Sequence, residues 1–266
     1  MDEEQRLCVI CVWRQHCQIK FTGTRDDAYM FQCPDFTRDY TIKDMEADQK
    51  FLETQLEKWR KEKRIKLKPS ITVSRQAGSW GTEICRKLAA ELNMDFLGSE
   101  IISRIAESAH MSEKVVQSLG ERHVTMLDNW ITSFYMAHHL RPDVYFQHLV
   151  KIIKTAGEHG NAVILGRGAH YILPQVRTFR TRIIGPLEQR IENVIKNRGC
   201  SRQDAKNYIV NTDDYRKAFA TKYFHEDIDN PASYDLVVNT EGISIDVAVD
   251  IIKHAFQARS FPAPGS

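Results

Sequence analysis

Two glycines and a threonine stand where a phosphate-binding turn would need them. The stretch ITVSRQAGSWGTEICRKLAAEL has an apolar start, a turn with Gly78 and Gly81, and then Ile84 and Leu88 at helical spacing. Glycines let backbone N–H groups point inward and approach an anion closely. The N-terminus of a helix offers further N–H groups and a positive dipole end. The stretch therefore predicts a strand, an anion-binding turn and a helix with one face in the core.

The lysine that precedes the Ser/Thr of a Walker-type loop is missing from this turn. Gly81 stands directly before Thr82, whose hydroxyl is at the magnesium-coordinating position of such loops. Thr82 would also suit an ordinary helix N-cap. Arg75 is the nearest cation in the sequence, and either a contact with bound phosphates or a structural salt bridge is compatible with it. Backbone anion binding should survive the loss of the lysine, whereas stabilising transferred charge needs another cation.

Four of the six cysteines fall near the start of the chain, at Cys8, Cys11, Cys17 and Cys33. A C-x-x-C pair can bring both sulfurs to one ion, and two later cysteines can complete a tetrahedron. Without an export signal, metal ligation is favoured over disulfides. The spacing predicts a structural Zn²⁺ site, with an iron–sulfur cluster or unliganded redox thiols as alternatives.

The elements that must position these residues alternate along the rest of the chain. The apolar runs ITVS, DFL, AVIL, RIIG (182–185) and DLVVN predict strands, and helical patterns lie between them. Such alternation predicts an α/β fold in which a parallel sheet is covered by helices on both faces. A helical insert at about 99–158 has the right position to cover a substrate.

The sequence divides into four predicted parts. They are a cysteine-rich metal-binding head (1–43), a connecting basic helix (44–69), the main α/β domain (70–258) and a flexible tail (259–266). The basic half of the connecting helix is compatible with a solvated helix or with a phosphate-attracting patch.

Composition limits the compartment and the partners. The formal net charge is +2 and the pI is about 8.2, which gives no electrostatic case for nucleic acid. No apolar run approaches the roughly 20 residues of a membrane span. The acidic start MDEEQRLC lacks the apolar stretch of an export signal. These features predict a cytoplasmic protein without a membrane partner, and they do not predict its oligomeric state.

Five segments, in order, resemble the cytidylate kinase-like family, a divergent branch of the P-loop nucleoside monophosphate kinases. They are ITVSRQAGSWGTEICRKLAAEL, AVILGRGAHYIL, RTRIIGPLEQRIENV, DDYRKAF and YDLVVNTEGISIDVAVDII, and they span about residues 70–258. The resemblance implies a five-stranded P-loop kinase sheet that binds ATP and Mg²⁺. It also implies (d)CMP kinase-like transfer of the γ-phosphoryl group to a nucleoside monophosphate or a similar small acceptor. The alternative is a nucleotide or phosphate sensor without turnover, regulated through the metal-binding head.

The resemblance also implies roles for individual residues. Arg75, Arg167 and Arg216 would be catalytic, and Arg167, Asp213 and Arg216 would hold the acceptor. The lid would supply Arg190, Arg198 and Arg202. The donor phosphates would be enclosed by Gln76, Ala77, Gly78, Ser79, Trp80, Gly81 and Thr82. Structural ion pairs are the alternative for Arg167 and for the i, i+3 pair of Asp213 and Arg216, and a solvated surface is the alternative for the lid arginines.

Three departures from the family pattern remove charge from the implied site. Gly168 stands where relatives carry an acid after the arginine of GRG, and Gly98 and Ser99 replace an aspartate and a basic residue. Ile209 replaces an arginine four residues before Asp213.

The cysteine spacing predicts a metal that can be counted. Freshly purified protein should contain close to one equivalent of zinc or of an iron–sulfur cluster, and Cys11→Ser should lose it because the site needs all four sulfurs. Elemental analysis measures the content, and visible absorption separates iron from zinc. A protein free of both metals would rule out the predicted site.

Overall fold

The computed structural model describes residues 68–99 and 144–262 continuously, with isolated helical positions between 53 and 59 and between 102 and 136. The predicted metal-binding head with its four cysteines, most of the connecting helix and residues 263–266 lie outside the described residues. Contacts divide the chain into two units, Met1–Gln55 and Leu56–Ser266. Glu53 and Thr54 are the described residues of the first unit, and both are helical and exposed. The sheet and its helices belong to the second unit.

Five parallel strands form the sheet of this unit, in the order β2-β3-β1-β4-β5. The predicted α/β class and the predicted five parallel strands are therefore confirmed. The central strand β1 pairs with β3 on one side and with β4 on the other, so its carboxyl end lies in the middle of the sheet. The strands are β1 (Ser70–Arg75), β2 (Asp95–Leu97), β3 (Ala162–Leu165), β4 (Thr178–Ile184) and β5 (Leu236–Asn239).

Helices follow each strand of the sheet. They are α1 (Gly81–Glu91), α2 (Val144–His159), α3 (Ala169–Ile172), α4 (Leu187–Arg198), α5 (Arg202–Phe224) and α6 (Ile245–Ala258). The hydroxyls of Ser201 and Ser244 accept N–H groups in the first turns of α5 and α6, which fixes where these helices begin. No helix among the described residues is long and apolar enough to cross a membrane.

One face of the sheet carries the apolar core. Side chains of β1 and β3, including Val73 and Leu165, pack there against Leu88 of α1 and Ile252 of α6. Cys85 belongs to this core and is fully buried, so it serves as a packing residue. Burial raises the pKa of its thiol to about 12, so the thiol stays protonated and unreactive.

The other face of the sheet is polar along β4. Because of these polar residues, the first part of the strand was not predicted from the sequence. RIIG predicts a strand over 182–185, whereas β4 runs over Thr178–Ile184. Arg180 and Arg182 are two positions apart on the strand, so their side chains lie on the same face of the sheet. Arg180 pairs with Asp235 at 3.0 Å, and Arg182 donates to Ser74 at 2.8 Å and pairs with Asp229. These partners make buried arginines tolerable within a strand.

Trp59 of the predicted connecting helix packs within the second unit. It is 4% exposed, its ring stacks on His159 with centroids 4.5 Å apart, and its Nε1 donates to Asp95 at 3.3 Å. These contacts tie Trp59 to β2 and α2.

His170 of α3 makes stability depend on pH. Burial, and then the charges of Arg182 and Arg180, lower its pKa to about 3, against about 6.5 in an unfolded chain. Between these values the unfolded chain holds a proton that the folded chain does not, so stability falls as the pH falls below about 6.5. We expect His170 to contribute a loss of up to about 1.4 kcal/mol per pH unit in this range.

Urea unfolding of the wild type and of His170→Phe, between about pH 7 and pH 5, measures this contribution. His170→Phe should flatten the acid dependence, and the exposed control His254→Phe should not. Parallel pH profiles for wild type and His170→Phe would contradict the assignment.

Candidate functional site

Two loops meet where the central strands end. The chain leaves β1 towards α1 on the apolar face, and leaves β3 towards α3, whose His170 lies by Arg180 and Arg182 on the polar face. Neighbouring parallel strands whose connections go to opposite faces open a crevice at their carboxyl ends, where ligands of open α/β sheets bind. We call it the β1–β3 crevice. The predicted residues Arg75 and Arg167 lie on its two sides.

The glycine loop, residues 76–80, joins β1 to α1 and is held from behind by side chains. Four consecutive carbonyl oxygens, those of residues 75–78, each accept a hydrogen bond from a side chain. The donors are Arg216 to Arg75 O (2.9 Å), Ser79 to Gln76 O (2.9 Å), Arg190 to Ala77 O (3.2 Å) and Asn193 to Gly78 O (2.8 Å). All four carbonyls are thereby kept from facing a bound anion.

Two residues of the glycine loop have left-handed backbone conformations. Gly78 has φ +75°, and a Cβ there would lie 2.6 Å from the carbonyl oxygen of Arg190, so only glycine fits. Trp80, with φ 59°, caps α1 at the position where the Walker pattern has its second glycine. A tryptophan in this region costs of order 1–3 kcal/mol. Its ring offsets part of that cost by packing against the apolar core.

Small residues form a slot for the side chain of Arg75. A Cβ on Gly81 would lie 2.7 Å from Cβ and Cγ of Arg75, and a Cβ on Gly166 would collide with its Nη1. The guanidinium donates from Nη2 to Ser99 Oγ at 2.9 Å. Arg75 thus starts beside the position of the Walker lysine and ends in the β1–β3 crevice. A lysine at position 81 would collide with Cβ and Cγ of Arg75 in this slot.

Arg167 lies on the far side of the crevice, in a strained loop. Its φ is 54°, between two glycines that also have positive φ. Its Nη1 donates to the Tyr215 hydroxyl at 3.0 Å, and its Nε lies 3.5 Å from Ser99 O. A side chain at Gly168 would collide with the ring of Phe224, so the acid that the family resemblance implies at this position would not fit.

Asp213 lies at the glycine loop. Its Oδ1 accepts from Ala77 N at 2.8 Å, and its Oδ2 accepts from Arg190 Nη1 at 2.6 Å. Arg216 is 3.5 Å away, so Asp213 pairs with two of the predicted arginines. Ile209 is buried in a cluster with Ala77, so an arginine there would displace packing behind the loop.

The other two predicted lid arginines lie elsewhere. Arg198 stacks over the ring of Tyr208 at 3.8 Å. Arg202 pairs with Glu188 and Glu192 on the exposed surface. Neither is among the residues that line the cavity described next.

A cavity of about 220 Å³ lies under α5, next to the glycine loop. Its polar lining includes Arg75, Gln76, Arg182, Asp213, Arg216 and Asp229. Partial burial alone would raise the pKa of Asp229, but Lys217 and Arg182 outweigh it and hold this pKa below its usual value. The carboxylate therefore stays charged at neutral pH.

Thr82 is the candidate for holding Mg²⁺. It lies half-buried in the first turn of α1, directly after the glycine loop. Mg²⁺ in kinase sites takes few protein ligands besides substrate phosphates and water, so a hydroxyl there fits the ion. No group of three or more His, Cys, Asp or Glu side chains among the described residues could hold a metal. The predicted zinc ligands lie outside those residues and stay a prediction.

Asn193, Tyr215 and Arg182 contact the site but were not predicted from the sequence. Asn193 follows Arg190 by three positions on α4, so both share the helix face towards the glycine loop. That spacing could have indicated, from the sequence alone, that Asn193 faces the glycine loop. Tyr215 and Arg182 reach the site through tertiary packing that local patterns do not encode.

The slot predicts that the effect of Gly81→Ala on the free energy of unfolding depends on the residue at position 75. Gly81→Ala in the wild type should lower the free energy of unfolding by about 1–3 kcal/mol, because the methyl group collides with Arg75. In an Arg75→Gly background, which removes both Cβ and Cγ at position 75, the same change should be neutral or stabilising by up to about 1 kcal/mol, because alanine favours a helix over glycine. Urea unfolding of the four proteins measures the cycle. An equal cost in both backgrounds would mean that Arg75 does not fill the space beside Gly81.

Comparisons with known proteins agree with this geometry. The family model described as the cytidylate kinase-like family matches residues 70–242. Cytidylate kinase of Pyrococcus horikoshii is 27% identical over 186 residues, covering 70% of this chain and 86% of that enzyme. Uronate isomerase of Corynebacterium glutamicum is 31% identical over 101 residues, 38% of this chain, and the chain spans 19% of that enzyme. A crystal structure of an uncharacterized protein from Eubacterium ventriosum shares the fold, with a TM-score of 0.52, 18% identity, and coverage of 72% of this chain and 100% of that one. The chain belongs to the cytidylate kinase-like family.

Proposed function

We propose that this protein transfers the γ-phosphoryl group of ATP to a nucleoside monophosphate or a similar small phosphorylated acceptor. One observation carries the proposal: two arginines from neighbouring strand ends meet at Ser99, Arg75 through Oγ and Arg167 through the carbonyl oxygen. Phosphoryl transfer depends mainly on positioning and on electrostatic stabilisation. A pair of guanidinium groups beside an anion-binding loop is suited to both.

Each side of the β1–β3 crevice has its own part in this proposal. The N–H groups of residues 78–82 bind the donor phosphates, and Arg75 takes the place of the missing lysine. Arg167 and Arg216 hold the acceptor phosphate, since a guanidinium can bind a phosphate through two parallel hydrogen bonds. Thr82 would bind Mg²⁺, which neutralises charge on the donor phosphates when it is present.

Asp213 supports a second candidate, a nucleotide or phosphate sensor. Its carboxylate accepts from Ala77 N, so α5 is bonded to the loop that would bind the donor. A ligand that replaces this carboxylate would release the contact and change the position of α5. Binding without turnover would favour this alternative.

Turnover and the role of Arg167 are tested together. The purified protein should phosphorylate at least one member of a panel of nucleoside monophosphates with ATP and Mg²⁺. Arg167→Ala should then raise the KM for that acceptor by about 10- to 100-fold, because a charge-assisted contact with its phosphate is lost. The KM for ATP should change by less than about twofold, because Arg167 is not part of the donor loop.

Arg177→Ala is the matched control. Arg177 directly precedes β4, at the amino ends of the strands and away from the crevice at their carboxyl ends, so its loss should not affect either KM. ATP binding without transfer to any acceptor would reject the kinase in favour of the sensor. A lower melting temperature with an unchanged acceptor KM would instead make Arg167 a structural residue.

A further inference from the structure

Anion binding by the glycine loop depends on the direction in which its peptide N–H groups point. In a planar trans peptide, the C=O of one residue and the N–H of the next point in opposite directions. A side chain that holds one carbonyl behind the loop therefore presents the following N–H at the front. The capped carbonyls of Ala77 and Gly78 orient the N–H groups of Gly78 and Ser79 in this way.

The amide of Ala77 is already bonded within the protein. It donates to Asp213 at 2.8 Å, and Asp213 in turn accepts from Arg190, whose guanidinium also holds the Ala77 carbonyl. Asp213 therefore belongs to the cluster behind the loop, and Gly78 and Ser79 carry the next amides that can face an anion.

The peptide between Gly78 and Ser79 needs such a restraint most. Gly78 has no Cβ and adopts positive and negative φ about equally well, so the peptide after it rotates more easily than any other in the loop. Asn193 Nδ2 holds its carbonyl at 2.8 Å, from a half-buried position on α4. The backbone of α4 also packs against the same glycine, through the carbonyl oxygen of Arg190. The helix therefore backs the loop both with its main chain and with Asn193.

We propose that Asn193 is a positioning residue for the donor phosphates. Its side-chain amide keeps the Gly78 carbonyl turned away from the anion and the Ser79 N–H turned towards it. Asn193 is uncharged, so this effect does not come from long-range attraction of the anion. The inference rests on the proposed function, because it assumes that the glycine loop binds the donor phosphates.

The test measures binding directly and needs no turnover. Calorimetric titration with inorganic tripolyphosphate and with ADP gives the affinity of the wild type, of Asn193→Ala and of Asn193→Asp. We expect about tenfold weaker binding for Asn193→Ala, as one preorganising hydrogen bond is lost. Asn193→Asp should bind more weakly still, because a carboxylate cannot donate to the carbonyl and repels it. Asn193→His, whose ring can donate, should recover part of the affinity.

Asn207→Ala is the matched control. Asn207 is an exposed asparagine on α5 that accepts from Gln203 at 2.9 Å, and its loss should leave both affinities unchanged. Thermal melts of all variants separate positioning from general stability, because a merely structural role would lower the melting temperature and leave the affinities below it unchanged.

The outcomes distinguish the inference from the proposed function. If the wild type binds and Asn193→Ala binds equally well, the inference is wrong and the proposed function stands. If the wild type binds neither tripolyphosphate nor ADP, both fail. Weaker binding by Asn193→Ala and Asn193→Asp at an unchanged melting temperature supports the inference.

Discussion

The direction of four carbonyl groups is the constraint on which the candidate site depends. A peptide loop binds an anion only if its N–H groups face inward, and planarity then sends its C=O groups outward, where each needs a donor. Here the donors come from the loop itself, from α4 and from α5. The loop therefore has its binding shape because two helices distant in sequence are packed behind it.

Asp213 connects the order of the glycine loop to the position of α5. This carboxylate bonds to the Ala77 amide and to Arg190, while Arg216 on the same helix bonds to the Arg75 carbonyl. Hydrogen bonds to charged groups contribute about 1.5–3 kcal/mol each. A displacement of α5 would break all three, and the last of them is the bond that holds the carbonyl of Arg75. The order of the glycine loop and the position of α5 are thus energetically coupled.

Much of the fold, but less of the site, could be predicted from the sequence. Buried parallel strands are apolar, so runs such as AVIL predict them directly. The first half of β4 was not predicted because Arg180 is buried there through Asp235, a partner that lies far along the chain. The glycines and Thr82 indicated an anion-binding turn by their spacing alone. Asn193 bonds to Gly78 across 115 positions, a separation that no local pattern encodes.

The slot around Arg75 restricts the order in which this sequence can have evolved. A side chain at position 81 collides with Cβ and Cγ of Arg75, so a chain that carried both the Walker lysine and this arginine would lose stability. A chain with lysine would lose least by giving it up before, or together with, the gain of Arg75. Positions 75 and 81 should therefore change as a pair among homologues. A homologue with lysine at position 81 should carry glycine at position 75.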